Sequence, residues 1–164
     1  MKNRFKIILI VFSVTFAFVA CSKITLKNSD SSEQSSSIVG IWSLIHLHEI
    51  MVDVNTNKTI SDTAVDIVTD GVNSYILIQF DKSGNCISKT DFDFDTMSGD
   101  PTDVDIENGT YILTKDSITI TENGESTSAA YSISGDRLTM TSVQTGTQDG
   151  KNVRLTTIAT YKKQ

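Results

Sequence analysis

The 164-residue chain has little of the chemistry that marks an enzyme or a metalloprotein. It contains two cysteines and two histidines, without a Cys-x-x-Cys pair or a Cys/His cluster, so a zinc site is not expected. No nucleophile elbow, phosphate-binding glycine loop or catalytic triad pattern is present. We therefore expect no enzymatic activity, no bound cofactor and no metal.

Positive charge is also scarce. Lysine and arginine number 14 against 20 aspartates and glutamates, which gives a net charge of −6. Three of the cations, Lys2, Arg4 and Lys6, stand together at the N-terminus. The remainder is too acidic for the basic surface that nucleic acid or an anionic membrane requires, so neither is an expected electrostatic partner.

The chain lacks an apolar run long enough to cross a membrane. Ile7 to Ala20 spans 14 residues, whereas a membrane-spanning helix needs roughly 20. The cationic start, this short run and Cys21 directly after it resemble a bacterial lipoprotein signal. The resemblance implies cleavage before Cys21 and a diacylglycerol, with palmitate among its acyl chains, on the Cys21 thiol.

Such a lipid implies a membrane anchor in the bacterial outer membrane. No acidic run follows Cys21, and this favours the periplasmic side over the cell surface. Residues 22–37 are rich in serine and poor in large apolar groups, which is typical of a flexible tether. We expect a signal peptide at 1–20, a lipidated cysteine with its tether at 21–37, and a folded domain at 38–164.

The folded part has strand patterns and almost no helical periodicity. Short apolar or alternating segments are separated by turn signals such as Asn123-Gly124. A single helical turn is expected around Thr63 to Thr69, and residues 53–73 and 95–108 are expected to be loops. The eight predicted strands are 38–52, 75–80, 86–94, 109–114, 117–121, 128–133, 138–141 and 153–162.

Eight short strands with tight connections predict an all-β fold. Closure into an antiparallel up-and-down barrel would remove exposed sheet edges, and an open β-sandwich is the alternative. An eight-stranded barrel either fills its interior with side chains or holds one small ligand.

Four segments together resemble the lipocalin-like lipoproteins of Bacteroidetes-type bacteria. They are Val39-Gly40-Ile41-Trp42-Ser43-Leu44, Phe80-Asp81-Lys82-Ser83-Gly84, Asn108-Gly109-Thr110-Tyr111 and Ser134-Gly135-Asp136-Arg137-Leu138-Thr139-Met140. The resemblance implies a barrel closed at one end by Trp42, with a late arginine, Arg154, packed over the indole. The Thr-Asp-Tyr segment of many animal lipocalins is absent.

Trp42, His46 and His48 are the candidate ligand-binding residues. Side chains alternate along a strand, so the two histidines share a face with Trp42 and are predicted to point into the barrel; an ordinary exposed face is the alternative. Glu49 falls on the opposite face and cannot complete a metal site with them.

Two functions compete at this point. The first is a membrane-anchored lipoprotein whose barrel binds a small apolar or amphiphilic molecule. The second is a protein-interaction or inhibitor lipoprotein, in which the acidic loops 53–73 and 95–108 contact a protein partner and a solid barrel is the scaffold. A cavity inside the barrel would favour the first function, and a filled interior the second.

Overall fold

The computed structural model of the chain describes residues 38–67, 75–91 and 104–164. The predicted signal peptide, Cys21 and the tether lie outside the described residues. Among the described residues, no helix is long and apolar enough to span a membrane. The nine described strands are β1 (Gly40–Asp53), β2 (Lys58–Asp66), β3 (Tyr75–Phe80), β4 (Asn85–Asp91), β5 (Asp105–Leu113), β6 (Ser117–Glu122), β7 (Glu125–Ser134), β8 (Arg137–Gln148) and β9 (Lys151–Lys163).

Every pairing in the sheet is antiparallel. Strands β3 to β9 pair in chain order, and β1 pairs with both β3 and β9, so β1 and β3–β9 close an eight-stranded barrel. Strand β2 is additional and pairs with β1 alone. The predicted all-β, eight-stranded antiparallel barrel is confirmed, and the open sandwich is excluded by the closing pairs.

Strand β1 divides one of its edges between two partners. Its first residues, Gly40–Ser43, pair with β3, whereas His46–Asp53 pair with β2. The hairpin between β1 and β2 is stabilised by Asp53, whose carboxylate accepts hydrogen bonds from the amides of Asn55 and Thr56 at 2.9 and 3.1 Å.

The extra strand corrects the prediction for residues 53–73. Thr63 to Asp66 belong to β2, so the helical turn expected around Thr63 to Thr69 is wrong. Eight of the nine residues of β2 are exposed. Its small polar and β-branched residues are compatible with a strand that lies largely in water. In the second predicted loop, residues 105–108 belong to β5, and residues 95–103 lie outside the described residues.

The barrel has one filled end, which we call the Trp42 end. Trp42, Phe80, Ile118 and Leu138 are each at most 1% exposed there. The indole Nε1 of Trp42 donates a hydrogen bond to the Ile38 carbonyl at 2.7 Å, so its one polar group is satisfied. The opposite end, which we call the far end, carries the hairpin turns at 54–57, 123–124 and 149–150.

Gly109 is the one inward position of β5 that must stay without a side chain. It faces Cys86 on β4 and Glu122 on β6. An added Cβ would lie 2.5 Å from the Thr121 carbonyl oxygen and 2.6 Å from Glu122 Cγ. The missing side chain leaves room for Glu122 to lie across β5, and its Oε1 accepts a 2.7 Å hydrogen bond from Ser88 on β4.

We expect Gly109→Ala to destabilise the barrel by about 1–3 kcal/mol, because the new Cβ meets a backbone oxygen that cannot move freely. Urea denaturation followed by circular dichroism measures the change. Gly146→Ala on β8 is the matched control, since a Cβ there meets nothing within 4 Å. Equal stabilities of the two variants would contradict this account of Gly109.

Candidate functional site

A bulge at Ile45 decides which side chains of β1 face the barrel interior. Leu44 pairs with Tyr161 of β9, but the next pair joins His46 to Thr160, so Ile45 has no partner on β9. The extra residue shifts the alternation by one. Beyond the bulge, the inward residues of β1 are therefore Leu47, Glu49 and Met51, which pair with Ala159, Thr157 and Leu155.

The same bulge places His46 and His48 on the outer wall. The prediction that they point into the barrel is wrong, because it carried the alternation of Trp42 and Leu44 through Ile45 without interruption. His46 Nδ1 lies 2.7 Å from an Asp66 carboxylate oxygen, and His48 Nε2 lies 2.7 Å from one of Asp62. These half-exposed contacts join β1 to β2 and contribute little stability each.

The sequence does carry a sign of the bulge. Leu44 and Ile45 are adjacent apolar residues, and the alternation resumes at Leu47. Two apolar neighbours inside an alternating strand indicate that the alternation of inward and outward side chains shifts by one residue. The positions of Trp42 and Leu44 alone do not reveal this shift.

Trp42 is covered by a lysine rather than the predicted arginine. Lys163 Nζ lies 5.0 Å from the centre of the indole ring, within the range of a cation–π contact. Lys163 is also the direct partner of Trp42 across β1 and β9. Arg154 pairs with Val52 near the far end and is exposed, so its predicted stacking on Trp42 is wrong.

Several inward side chains beyond the Ile45 bulge are half-buried. On β1 and β9 these are Leu47, Glu49, Met51 and Leu155, whereas Asp53 and Val153 beside the far-end turns are buried. Burial raises the pKa of Glu49, and a weak 3.5 Å hydrogen bond from Thr157 Oγ1 partly offsets that effect. One side of the interior thus combines apolar surface with a desolvated carboxyl group.

The opposite side of the interior holds two more carboxylates. Glu107 of β5 and Glu122 of β6 both point inward, since Glu107 pairs with Ser88 and Glu122 with Gly109. Burial raises the pKa of Glu107, and the charges of Glu122 and Asp105 raise it further. Asn123 Nδ2 donates a 3.2 Å hydrogen bond to Glu107 and opposes the shift.

Three tyrosines point inward, and their hydroxyl groups differ in environment. Tyr111 donates to the Asp81 carbonyl at 2.6 Å, and Tyr131 to the Thr114 carbonyl at 3.4 Å. Tyr161 is 7% exposed and pairs with Leu44 of β1 and Leu138 of β8. Burial, and then the charge of Glu122, raise the pKa of Tyr161.

Cys86 lies in the interior between Phe80 and Gly109. It is 1% exposed, and burial and the charges of Glu122 and Asp81 raise the pKa of its thiol to about 11. A thiol in this state is a packing group rather than a nucleophile. Among residues 38–67, 75–91 and 104–164, no three His, Cys, Asp or Glu side chains are grouped to hold a metal ion.

The inward carboxylates were not predicted from the sequence. Their signal is the alternation itself: Glu122 continues the inward series Ile118 and Ile120, and Glu107 precedes Gly109 and Tyr111 in the same phase. The inward position of Glu49 follows only once the bulge at Ile45 is known, because the bulge determines which β1 residues after it face the interior.

Comparison with protein families agrees with this architecture. A family model described as a lipocalin-like domain matches residues 38–140, which is more than half of the chain. The chain belongs to the lipocalin-like domain family. The match begins at the residue whose carbonyl accepts the Trp42 indole hydrogen bond, and it extends to Met140 in the barrel wall.

No curated protein sequence matches the chain significantly. Among solved structures, the lipocalin-like chain is similar to an uncharacterized protein from Bacteroides eggerthii DSM 20697, with 13% identity and a TM-score of 0.44. The similarity covers 77% of this chain and 99% of that one.

Replacing Lys163 with methionine should lower the free energy of unfolding by about 0.5–1 kcal/mol, because it removes the charge above Trp42 while keeping an apolar stem. The same replacement at Arg154 should have no measurable effect. Urea unfolding monitored by Trp42 fluorescence measures both variants. If Arg154→Met lowers the free energy of unfolding more than Lys163→Met does, the assignment of Lys163 as the residue that covers Trp42 is wrong.

Proposed function

We propose that this lipocalin-like chain is a lipid-anchored protein that binds a small apolar or amphiphilic molecule inside its barrel. The observation that carries the proposal is the contrast between the two halves of the interior. Side chains fill the Trp42 end, whereas Leu47, Met51 and Leu155 stay half-buried towards the far end. An eight-stranded barrel is wide enough to hold one small ligand.

The lining supports an amphiphilic ligand rather than a purely apolar one. Apolar groups of β1 and β9 lie opposite the polar groups of β4 to β6, where Ser88, Glu107 and Glu122 point inward. Ligand sites typically combine apolar walls with a few polar groups that orient the ligand. His46 and His48 are on the outer wall, so the proposed interior site does not include them, and Trp42 supports it as the floor.

Titration of the full chain with small apolar and amphiphilic compounds tests the binding proposal. We expect a saturable signal, and we expect Met51→Gln to weaken binding roughly fivefold, because it places an amide in the apolar wall. Val52→Gln is the control, since Val52 is the neighbour of Met51 and faces outward. Calorimetry measures the affinities.

Absence of binding, together with a fully packed far half in a crystal structure, would overturn the proposal. Equal losses in Met51→Gln and Val52→Gln would place any observed binding outside the barrel.

The membrane anchor is the second part of the proposal and is supported by the sequence around Cys21. The Ser-rich segment 22–37 would hold the barrel clear of the lipid headgroups, and we propose the periplasmic side of the outer membrane as its location. The acidic chain has little electrostatic attraction to anionic lipid, so the acyl chains would supply the membrane affinity.

Cys21→Ser should release the protein from the membrane fraction or leave it mislocalised, because no thiol remains to carry the lipid. Cell fractionation followed by immunoblotting measures the distribution. Cys86→Ser is the control, since the buried Cys86 has no part in anchoring. A Cys21→Ser protein that is retained in the outer membrane would show that the lipoprotein assignment is wrong.

Strand β2 supports the alternative function, a protein-interaction lipoprotein. It is exposed at eight of nine residues and, within the described part of the chain, pairs only through its β1 edge. A partner chain could add a strand to such an edge through main-chain hydrogen bonds. A solid far half of the barrel would favour this alternative over ligand binding.

A further inference from the structure

Charge is divided unevenly between the two ends of the barrel. The turns between β3 and β4, β5 and β6, and β7 and β8 form the Trp42 end, together with the last residues of β9. Their cations are Lys82, Lys115, Arg137, Lys162 and Lys163, and their carboxylates are Asp81, Asp116 and Asp136. The three far-end turns and their flanking residues carry the cations Lys58 and Lys151 and the carboxylates Asp53, Glu122, Glu125 and Asp149. The side chains therefore give the Trp42 end a positive balance and the far end a negative one.

Three cations of the Trp42 end extend into water. Lys82, Arg137 and Lys162 are exposed, and none of them forms an ion pair with a residue that the structure describes. Arg137 and Lys162 are direct partners across β8 and β9, so two like charges stand opposite each other on the outer wall. Such a pair is destabilising by itself, and a negative charge above both side chains would relieve it.

An aspartate at this end is directed away from those cations. The Asp81 carboxylate accepts hydrogen bonds from the amides of Ser83 and Asn85 at 2.7 and 2.9 Å, and from Asn85 Nδ2 at 2.8 Å. Its charge is thus held within its own turn. The adjacent Lys82 side chain extends from the same turn into water.

The chain enters the barrel at the cationic end. Ile38 is the first described residue, and its carbonyl accepts the hydrogen bond from the Trp42 indole. Residues 1–37 are therefore attached to the Trp42 end. The proposed lipid site, Cys21, precedes Ile38 by 17 residues. A flexible segment of that length spans roughly 20–25 Å on average, so it keeps the attachment point close to the lipid headgroups.

The length of the barrel makes its two orientations on a charged surface differ. Strand β9 has 13 residues, which corresponds to roughly 30 Å along a barrel axis once strand tilt is included. Electrostatic screening at physiological salt acts over about 8 Å. An anionic surface at the Trp42 end therefore attracts the cations there and hardly reaches the acidic far end. The inverted barrel would bring the acidic turns against the same surface.

We propose that the Trp42 end is a docking surface for anionic lipid headgroups, which orients the anchored barrel with its far end away from the bilayer. The inference rests on the proposed function, because it takes the anchor at Cys21 as given. It adds an orientation that a flexible tether alone does not impose. The net charge of −6 still opposes tight binding of the whole chain to anionic lipid. The acyl chains supply the affinity, and the separation of charge supplies the orientation.

A label at each end of the barrel reports this orientation. The lipidated full chain is labelled with a fluorophore at Ser83→Cys, in a Trp42-end turn, or at Thr56→Cys, in a far-end turn. Cys86 is buried and is not labelled. The chain is placed in nanodiscs whose headgroups carry an energy-transfer acceptor.

The comparison is between discs of phosphatidylcholine and discs that also contain about 30 mol% phosphatidylglycerol. In the anionic discs, energy transfer from residue 83 should rise about twofold, and transfer from residue 56 should fall, because each exposed cation favours the anionic surface about fivefold. At about 0.5 M salt, where screening acts over about 4 Å, the two kinds of disc should give equal transfer.

Two triple variants separate the local charge from the net charge. One combines Lys82→Gln, Arg137→Gln and Lys162→Gln at the Trp42 end. The matched control combines Lys58→Gln, Lys151→Gln and Arg154→Gln, which are also exposed and lie towards the far end. Both variants have the same net charge, but only the first should lose the response to phosphatidylglycerol. Lys163 is left in place because it covers Trp42. Thermal unfolding verifies that both variants are folded.

The outcomes separate this inference from the proposed anchor. If residues 83 and 56 respond alike, if the response persists at about 0.5 M salt, or if the two triple variants behave alike, the docking surface is wrong while the anchor stands. If a triple variant does not fold, the lipid and salt comparisons on the chain with all its cations still decide. If the chain separates from the phosphatidylcholine discs, the anchor has failed and the orientation fails with it.

Discussion

A strand has only two edges, and β1 must serve three neighbours. One edge is taken by β9 along most of its length, so β3 and β2 have to divide the other. The change from β3 to β2 falls at Ile45, where the bulge also shifts the alternation of side chains. The Ile67 amide donates to the carbonyl of this bulged residue at 3.0 Å. Ile45 therefore affects both the closure of the barrel and the choice of β1 side chains that face the interior towards the far end.

Local patterns predicted the strands that are joined by tight turns. The segments from Tyr75 to Lys163 have strong alternation and turn residues, and their pairing is confirmed within the described ranges. Strand β2 was missed because its polar residues bury almost nothing and therefore lack the apolar signal on which strand prediction depends. Its existence depends on pairing with β1, a tertiary contact that composition does not encode.

The site was harder to predict than the fold for a related physical reason. Its carboxylates face the interior because of their position in the alternation of side chains along each strand. One extra residue in a strand moves every later side chain to the opposite face. The prediction ignored the bulge at Ile45 and therefore assigned His46, His48 and Glu49 to the wrong face. Trp42 precedes the bulge and was placed correctly inside. The prediction that Arg154 covers the indole was wrong for another reason. The family pattern does not state which cation late in the chain pairs with Trp42, and in the structure it is Lys163.

Cys86 has a consequence for how the chain would tolerate oxidation. Disulfide exchange proceeds through the thiolate, and a thiol with a pKa of about 11 is almost entirely protonated at neutral pH. Burial under Phe80 and beside Gly109 also blocks the approach of a second sulfur atom. In any oxidising compartment, an accessible lone cysteine cross-links neighbouring copies, whereas this buried thiol would stay reduced. Burial is the largest cause of the raised pKa, so the packing around Cys86 itself keeps the thiol unreactive.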